Sequence, residues 1–177
     1  METPLTPMEF ARRTRRLYPN WEAVVDGEKR LTYRQFFERC DRWSAALQGF
    51  GIKHGDRVAY IAPNTLAHLE SFYAVPQIGA VTVPINYRLT PNDFVYIINH
   101  SGARMVCADS AYLDAIENVR GQLPNVKYFV ALEGKKDNWL DYEATLAAVI
   151  NDFVPHSIIE TDLISINYTS GTTARPK

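Results

Sequence analysis

From Val58 onward, short apolar runs alternate with helix-like stretches, and no other feature restricts the possible folds as much. Val58-Ala59-Tyr60-Ile61-Ala62 is continuously apolar, the pattern of a strand covered on both faces. A helix is predicted from Thr65 to Ile78, with Pro76 distorting its last turn and Gly79 closing it. Ala80 to Ile85 is the next strand, and Thr90-Pro91-Asn92-Asp93 opens a helix that ends near Gly102. The series continues with a strand over Met105 to Ala108, a helix over Ser110 to Arg120 and a strand over Lys127 to Ala131. A short helix over Tyr142 to Ile150 and a last strand over Leu163 to Tyr168 complete it. Helices between successive strands favour parallel pairing through right-handed crossovers. The predicted class is α/β: a doubly wound, mostly parallel sheet flanked by helices.

Two elements precede that series and are read as peripheral. Thr6-Pro7-Met8-Glu9 has the form of a capping box with proline at the first helical position, so a helix should run towards Leu17. Ala23-Val24-Val25, Asp26-Gly27 and Leu31-Thr32-Tyr33 read as a hairpin. Thr32-Tyr33-Arg34-Gln35 is a second capping box, followed by Phe36, Cys40, Trp43, Leu47 and Phe50 on one helical face that Gly51 closes.

With 177 residues, 46% of them hydrophobic and 22% charged, the chain suits one soluble domain with its own core. A net charge of -1 offers no global attraction to nucleic acid. The one basic run, Arg12, Arg13, Arg15 and Arg16, reads as a solvated helix face and receives no function from sequence alone. Cys40 and Cys107 fall among apolar neighbours, so no disulfide is expected. His54, His68, His100 and His156 are scattered and no Cys-x-x-Cys occurs, which argues against a dedicated metal site. No apolar stretch approaches the roughly 20 residues of a membrane span, and the arginine-rich start lacks a signal-peptide core. The cytoplasm is the expected compartment. Phe72 and Tyr73 could line a pocket, but at helical spacing they read as core.

The chain ends on "INYTSGTTARPK". Thr169, Ser170, Thr172 and Thr173 supply hydroxyl donors around Gly171, where a missing side chain lets backbone approach an anion, and Lys177 adds a positive charge. Gly171 and Lys177 match the spacing of a Walker A loop. Pro176, however, stands where that loop needs a second glycine, and no Ser or Thr follows Lys177, which excludes a nucleoside-triphosphatase loop of that kind.

"YTSGTTARPK" closely resembles the signature of adenylate-forming enzymes, the superfamily of acyl-CoA synthetases, luciferases and peptide-synthetase adenylation domains. "LTYRQF", "GIKHGDRVAYIAPN", "GAVTVPINYRLTPND", "SGARMV" and "ETDLISINYTSGTT" resemble further family blocks in the family's order, over most of Leu31 to Lys177. Pro84-Ile85-Asn86 followed by Arg88-Leu89-Thr90-Pro91 is similar to the acyl-CoA synthetase, or fatty-acid–CoA ligase, branch; peptide-synthetase domains usually carry aspartate where Asn86 stands.

The resemblance implies a two-step reaction, in which a carboxylate, here a fatty acid, attacks the α-phosphorus of ATP and the thiol of coenzyme A then displaces AMP. It implies that Thr169, Ser170, Gly171, Thr172, Thr173 and Lys177 contact the β- and γ-phosphates. It further implies that Mg2+ bridges the nucleotide, held by a residue beyond this chain. Residues 1–177 are then the N-terminal portion of the large adenylation domain, ending inside the phosphate loop. The family's adenine, ribose and magnesium motifs and its mobile C-terminal domain with the catalytic lysine come later, so no catalytic residue is assigned. The isolated chain should be inactive and mobile after Tyr168. Ala174 departs from the family's glycine, at a cost of roughly 1–2 kcal/mol if the position needs positive φ. The alternative is a non-catalytic interaction module derived from the same fold. Self-association through surface exposed by truncation is a further expectation, and acyl chain length is unreadable.

Overall fold

The computed structural model describes residues 4–169. Helix α1 (Pro7–Leu17) starts at Thr6, whose hydroxyl accepts from the Glu9 amide. Only that half of the predicted capping box forms, because the Glu9 carboxylate pairs with Arg12. Strands β1 (Glu22–Asp26) and β2 (Lys29–Thr32) make the antiparallel hairpin, turning at Gly27 with φ 56°. In α2 (Tyr33–Gly49) both halves of the Thr32/Gln35 capping box are present.

The main sheet has five parallel strands in the order β4-β3-β5-β6-β7: β3 (Arg57–Ile61), β4 (Val81–Ile85), β5 (Ala103–Ala108), β6 (Tyr128–Ala131) and β7 (Leu140–Asp141). Helix α3 (Leu66–Ala74) joins β3 to β4, and α4 (Pro91–Ser101) carries the chain from β4 across to β5 on the other side of β3. Helix α5 (Leu113–Glu117) lies between β5 and β6, and α6 (Tyr142–Ala148) follows β7. The doubly wound assignment therefore holds.

Strand alternation divides the interior into two layers. Val58, Tyr60, Met105, Cys107 and Val130 pack with α2, α3 and Tyr142. Ala59, Ile61, Val106, Ala108 and Phe129 pack with α4 and α5. Within the first layer Trp43 is fully buried, and its indole N–H donates to the Tyr60 hydroxyl at 2.7 Å. Glu70 is buried too. It accepts from the Arg39 guanidinium and from the Tyr142 hydroxyl, while Arg39 also reaches Glu143. Burial raises the Glu70 pKa although these donors pull it down.

Three local expectations need correction. The predicted Thr65–Ile78 helix is α3 followed by a separate 3-10 turn at Pro76–Ile78, because proline lacks the N–H that would continue the ladder. The Ser110–Arg120 helix is broken into a 3-10 turn at Ser110–Tyr112, α5, and another 3-10 turn at Arg120–Gln122. There the Asp109 side chain accepts from the Ala111 amide and favours a tight turn over a full helix start. The third correction concerns residues 163–168, where the structure has a single bridge instead of a strand.

Candidate functional site

That bridge sets where the terminal loop begins. After α6 the chain crosses the first helical layer as an irregular connector. Gln48 donates to the Val154 carbonyl and accepts from its amide, and the His156 amide donates to the Gln77 carbonyl. The rings of His54 and His156 lie 4.4 Å apart beside Gly79. So guided, the connector arrives at the outer edge of β4. The Thr82 amide donates to the Ile164 carbonyl at 3.0 Å, and the Ile166 amide donates to the Thr82 carbonyl at 2.9 Å. Thr82 itself is fully buried, its hydroxyl donating to the Ser71 carbonyl.

Why the pairing stops after one bridge follows from Pro84. It lies two residues beyond Thr82, so its nitrogen faces the same side of the strand, where another amide donor would be needed to continue the ladder. Proline has none. Ile166 and Tyr168, two residues apart, nevertheless keep the strand-like alternation and both pack on the second layer. The Tyr168 hydroxyl lies 2.7 Å from His100 Nδ1 near the end of α4, and Tyr96, one turn earlier, stacks on the His100 ring at 5.4 Å. Partial burial raises the Tyr168 pKa, with a smaller push from Tyr96.

Because the bridge is parallel, the chain leaves it in the direction of β4, towards the carboxyl edge of the sheet. There the Asn86 side chain accepts from the Arg88 amide at 3.0 Å and shapes the turn into α4, whose Thr90/Asp93 capping box is complete. Open α/β sheets bind ligands beyond the carboxyl ends of their strands, near the point where strand order reverses. Here the order reverses around β3, with β4 on one side and β5 on the other.

Of the predicted loop residues, Thr169 is described and exposed. Ser170, Gly171, Thr172, Thr173 and Lys177 lie outside the described residues, as do Ala174 and the mobility expected of nearly all the tail. Sequence reading missed Thr82, Pro84 and the Tyr168–His100 contact as the elements that fix the loop's base. A proline inside an apolar run was the available signal, since it marks an edge position. Phe72 and Tyr73 divide: Tyr73 packs against the first-layer core, whereas Phe72 is partly exposed. No group of three or more His, Cys, Asp or Glu side chains that could hold a metal is present among the described residues.

The fold and the placement of its last described segment thus define a doubly wound α/β domain whose chain, at Ile166 to Thr169, heads for the carboxyl edge of the sheet just ahead of the hydroxyl-rich motif in the sequence. A family model described as "AMP-binding enzyme" matches residues 11–177, and the chain belongs to that family. It is 34% identical over 182 residues to a long-chain-fatty-acid–CoA ligase of Thermus thermophilus, covering 100% of this chain and 33% of the relative. It is 32% identical over 196 residues to a peroxisomal trans-cinnamate:CoA ligase of Petunia hybrida, covering 98% and 34%. Among solved structures, an anthranilate CoA ligase in complex with anthranoyl-AMP superposes with a TM-score of 0.93 at 26% identity, covering 100% of this chain and 34% of that one. The chain therefore spans about a third of the length of the curated relatives it matches.

Proposed function

We propose that the chain is the N-terminal part of an ATP-dependent acid–CoA ligase, which activates a carboxylic acid as its acyl-adenylate and transfers the acyl group to coenzyme A. The observation that supports this reading is the seating of residues 164–166 on the outer edge of β4, which turns the chain at Tyr168 and Thr169 towards the carboxyl edge of the sheet, directly before the "SGTTARPK" motif in the sequence. Thr169, Ser170, Gly171, Thr172, Thr173 and Lys177 are the proposed contacts to the β- and γ-phosphates. Their hydroxyls and backbone amides would share the phosphate charge, and Lys177 would neutralise part of it. Mg2+ would supply the remaining neutralisation.

Within this class a fatty acid is the proposed substrate, supported by the Thermus relative's name. The Petunia relative is named for cinnamate and the solved neighbour for anthranilate, so relatedness supports carboxylic acids more broadly than fatty acids. The proposed compartment is the cytoplasm. No helix among the described residues is long and apolar enough to cross a membrane.

The chain alone is proposed to be inactive, because adenylation needs α-phosphate, carboxylate and metal held in line, and a misplacement of about 1 Å costs roughly a hundredfold. Acid-dependent exchange of pyrophosphate into ATP tests this. The purified chain with Mg2+ should give none, and robust exchange abolished by Lys177→Ala would overturn the inactivity. A chimera in which this chain replaces the matching third of the Thermus ligase should regain exchange and lose about a hundredfold on Lys177→Ala. A folded chimera without exchange counts against the ligase reading.

A further inference from the structure

Helix α1 gives the core little, since Ala11 is its one buried residue. Its outward side carries two adjoining stripes. Phe10 and Leu17 lie on one, and Arg13, Arg16 and Arg12 follow around the helix. Phe10 is 60% exposed and Leu17 45%, while Leu5, in the segment that enters the helix, is 75% exposed. Together with Pro4 and Glu9 these residues line an open groove of about 580 Å³. The Leu5 amide is tied to the Glu160 carboxylate at 2.7 Å, which holds the entering segment against the groove.

The charges on this face are only partly used internally. Arg15 turns inward, to Asp41 and over the Phe37 ring, and Arg12 pairs with Glu9. Arg13 and Arg16 are exposed and form no ion pair among the described residues. Three arginines thus face solvent against the single carboxylate of Glu9 in the groove lining. In a chain whose net charge is -1, this is a local concentration of positive charge, set beside exposed apolar side chains.

We propose that the outward face of α1 docks the protein on an anionic lipid surface, with Arg13 and Arg16 at the headgroups and Phe10 and Leu17 at the boundary with the acyl chains. A strand of nucleic acid would engage the arginines and leave the apolar stripe in water. An anionic bilayer satisfies both stripes at once, which is the pattern of interfacial helices. The attraction is short-ranged and falls within a Debye length, so it should weaken as salt rises.

Co-sedimentation of the chain with vesicles of phosphatidylglycerol and phosphatidylcholine in equal parts, against phosphatidylcholine alone, tests the proposal. Binding should favour the anionic vesicles and decline with salt. Arg13→Gln/Arg16→Gln should lower partitioning about thirtyfold. Phe10→Ser should weaken it as well, whereas Phe72→Ser, on an exposed aromatic of α3, should leave it unchanged. Far-UV circular dichroism confirms that each variant is folded. Equal binding to neutral vesicles, or unchanged binding by the arginine variant, overturns the proposal. Dimerisation in solution that these substitutions abolish, without vesicle binding, also overturns it and assigns the face to a second copy of the chain.

Discussion

The Tyr168 hydroxyl lies 2.7 Å from Nδ1 of His100, and this contact immediately precedes the candidate phosphate loop. It links the last described turn of the chain to α4, which itself starts at the carboxyl edge of the sheet. Tyr168→Phe should remove the hydrogen bond while keeping the ring's packing, at a cost of about 0.5–1.5 kcal/mol. Amide exchange at Ile166 should quicken, and exchange at β3 should not. Unchanged protection at Ile166 would show that the loop's base is held by the Thr82 bridge alone.

Arg39 and Glu70 form a pair in which the carboxylate is fully buried and the guanidinium side chain is 23% exposed. Burial works against the Arg39 charge, but its bonds to Glu143 and Glu70 outweigh that and raise its pKa. Arg39→Ala leaves the Glu70 charge with Tyr142 as its remaining bonded partner, and should cost about 3 kcal/mol in urea unfolding. Arg39→Met/Glu70→Met removes both charges and should recover much of the loss. Equal losses in the single and double variants would contradict this account.

His68 is buried between the rings of Tyr60 and Phe72, with Nδ1 3.1 Å from the Pro63 carbonyl and no hydrogen-bond partner for Nε2 among the described residues. Burial lowers its pKa below the ordinary 6.5. The unfolded ring therefore takes a proton that the folded ring resists. Its contribution to stability is complete above pH 6.5 and is lost as pH falls from there through the lowered folded value. Urea midpoints measured from pH 8 to pH 5 (on the order of the titration window) should drop less in His68→Phe than in the parent. Parallel profiles would remove His68 from the explanation.

Gly79 has φ 74°, and a Cβ there would meet His54 Nδ1 at 2.7 Å and His156 Cγ at 2.8 Å. Gly79→Ala should cost at least about 1–2 kcal/mol from the backbone alone, and should loosen the connector that guides the chain to β4. Gly49, the last residue of α2, has nothing within 4 Å of a built Cβ. Gly49→Ala should stabilise by about 0.4–1 kcal/mol. Thermal unfolding of the two variants, compared with the parent, checks the opposite signs.

The sheet was legible because its strands carry the information in themselves: Val58 to Ile61 and Val106 to Ala108 are apolar on both faces, as burial in two layers requires. Caps were legible for the same local reason, since Thr32 and Thr90 bond residues three positions away. Strand β7 was missed because two residues carry no periodicity, and Asp141 reads as the cap of α6, which it also is. Residues 163–168 alternate like a strand yet form a single bridge, because alternation reports which faces side chains prefer and is blind to the neighbour's missing donor at Pro84. The candidate site was legible as a motif. Its base was not, because Tyr168 and His100 are 68 positions apart and only the fold brings them together.

The central claim is that the terminal loop of this chain contacts the phosphates of ATP. Titrating nitrogen-labelled chain with Mg-ATP and following the backbone amides by NMR tests it most directly. The account predicts perturbations concentrated in residues 169–177, extending weakly into Ser165 to Tyr168 and strongly reduced in Lys177→Ala. Silence of the loop amides at millimolar nucleotide, or perturbations elsewhere that Lys177→Ala leaves intact, would contradict it.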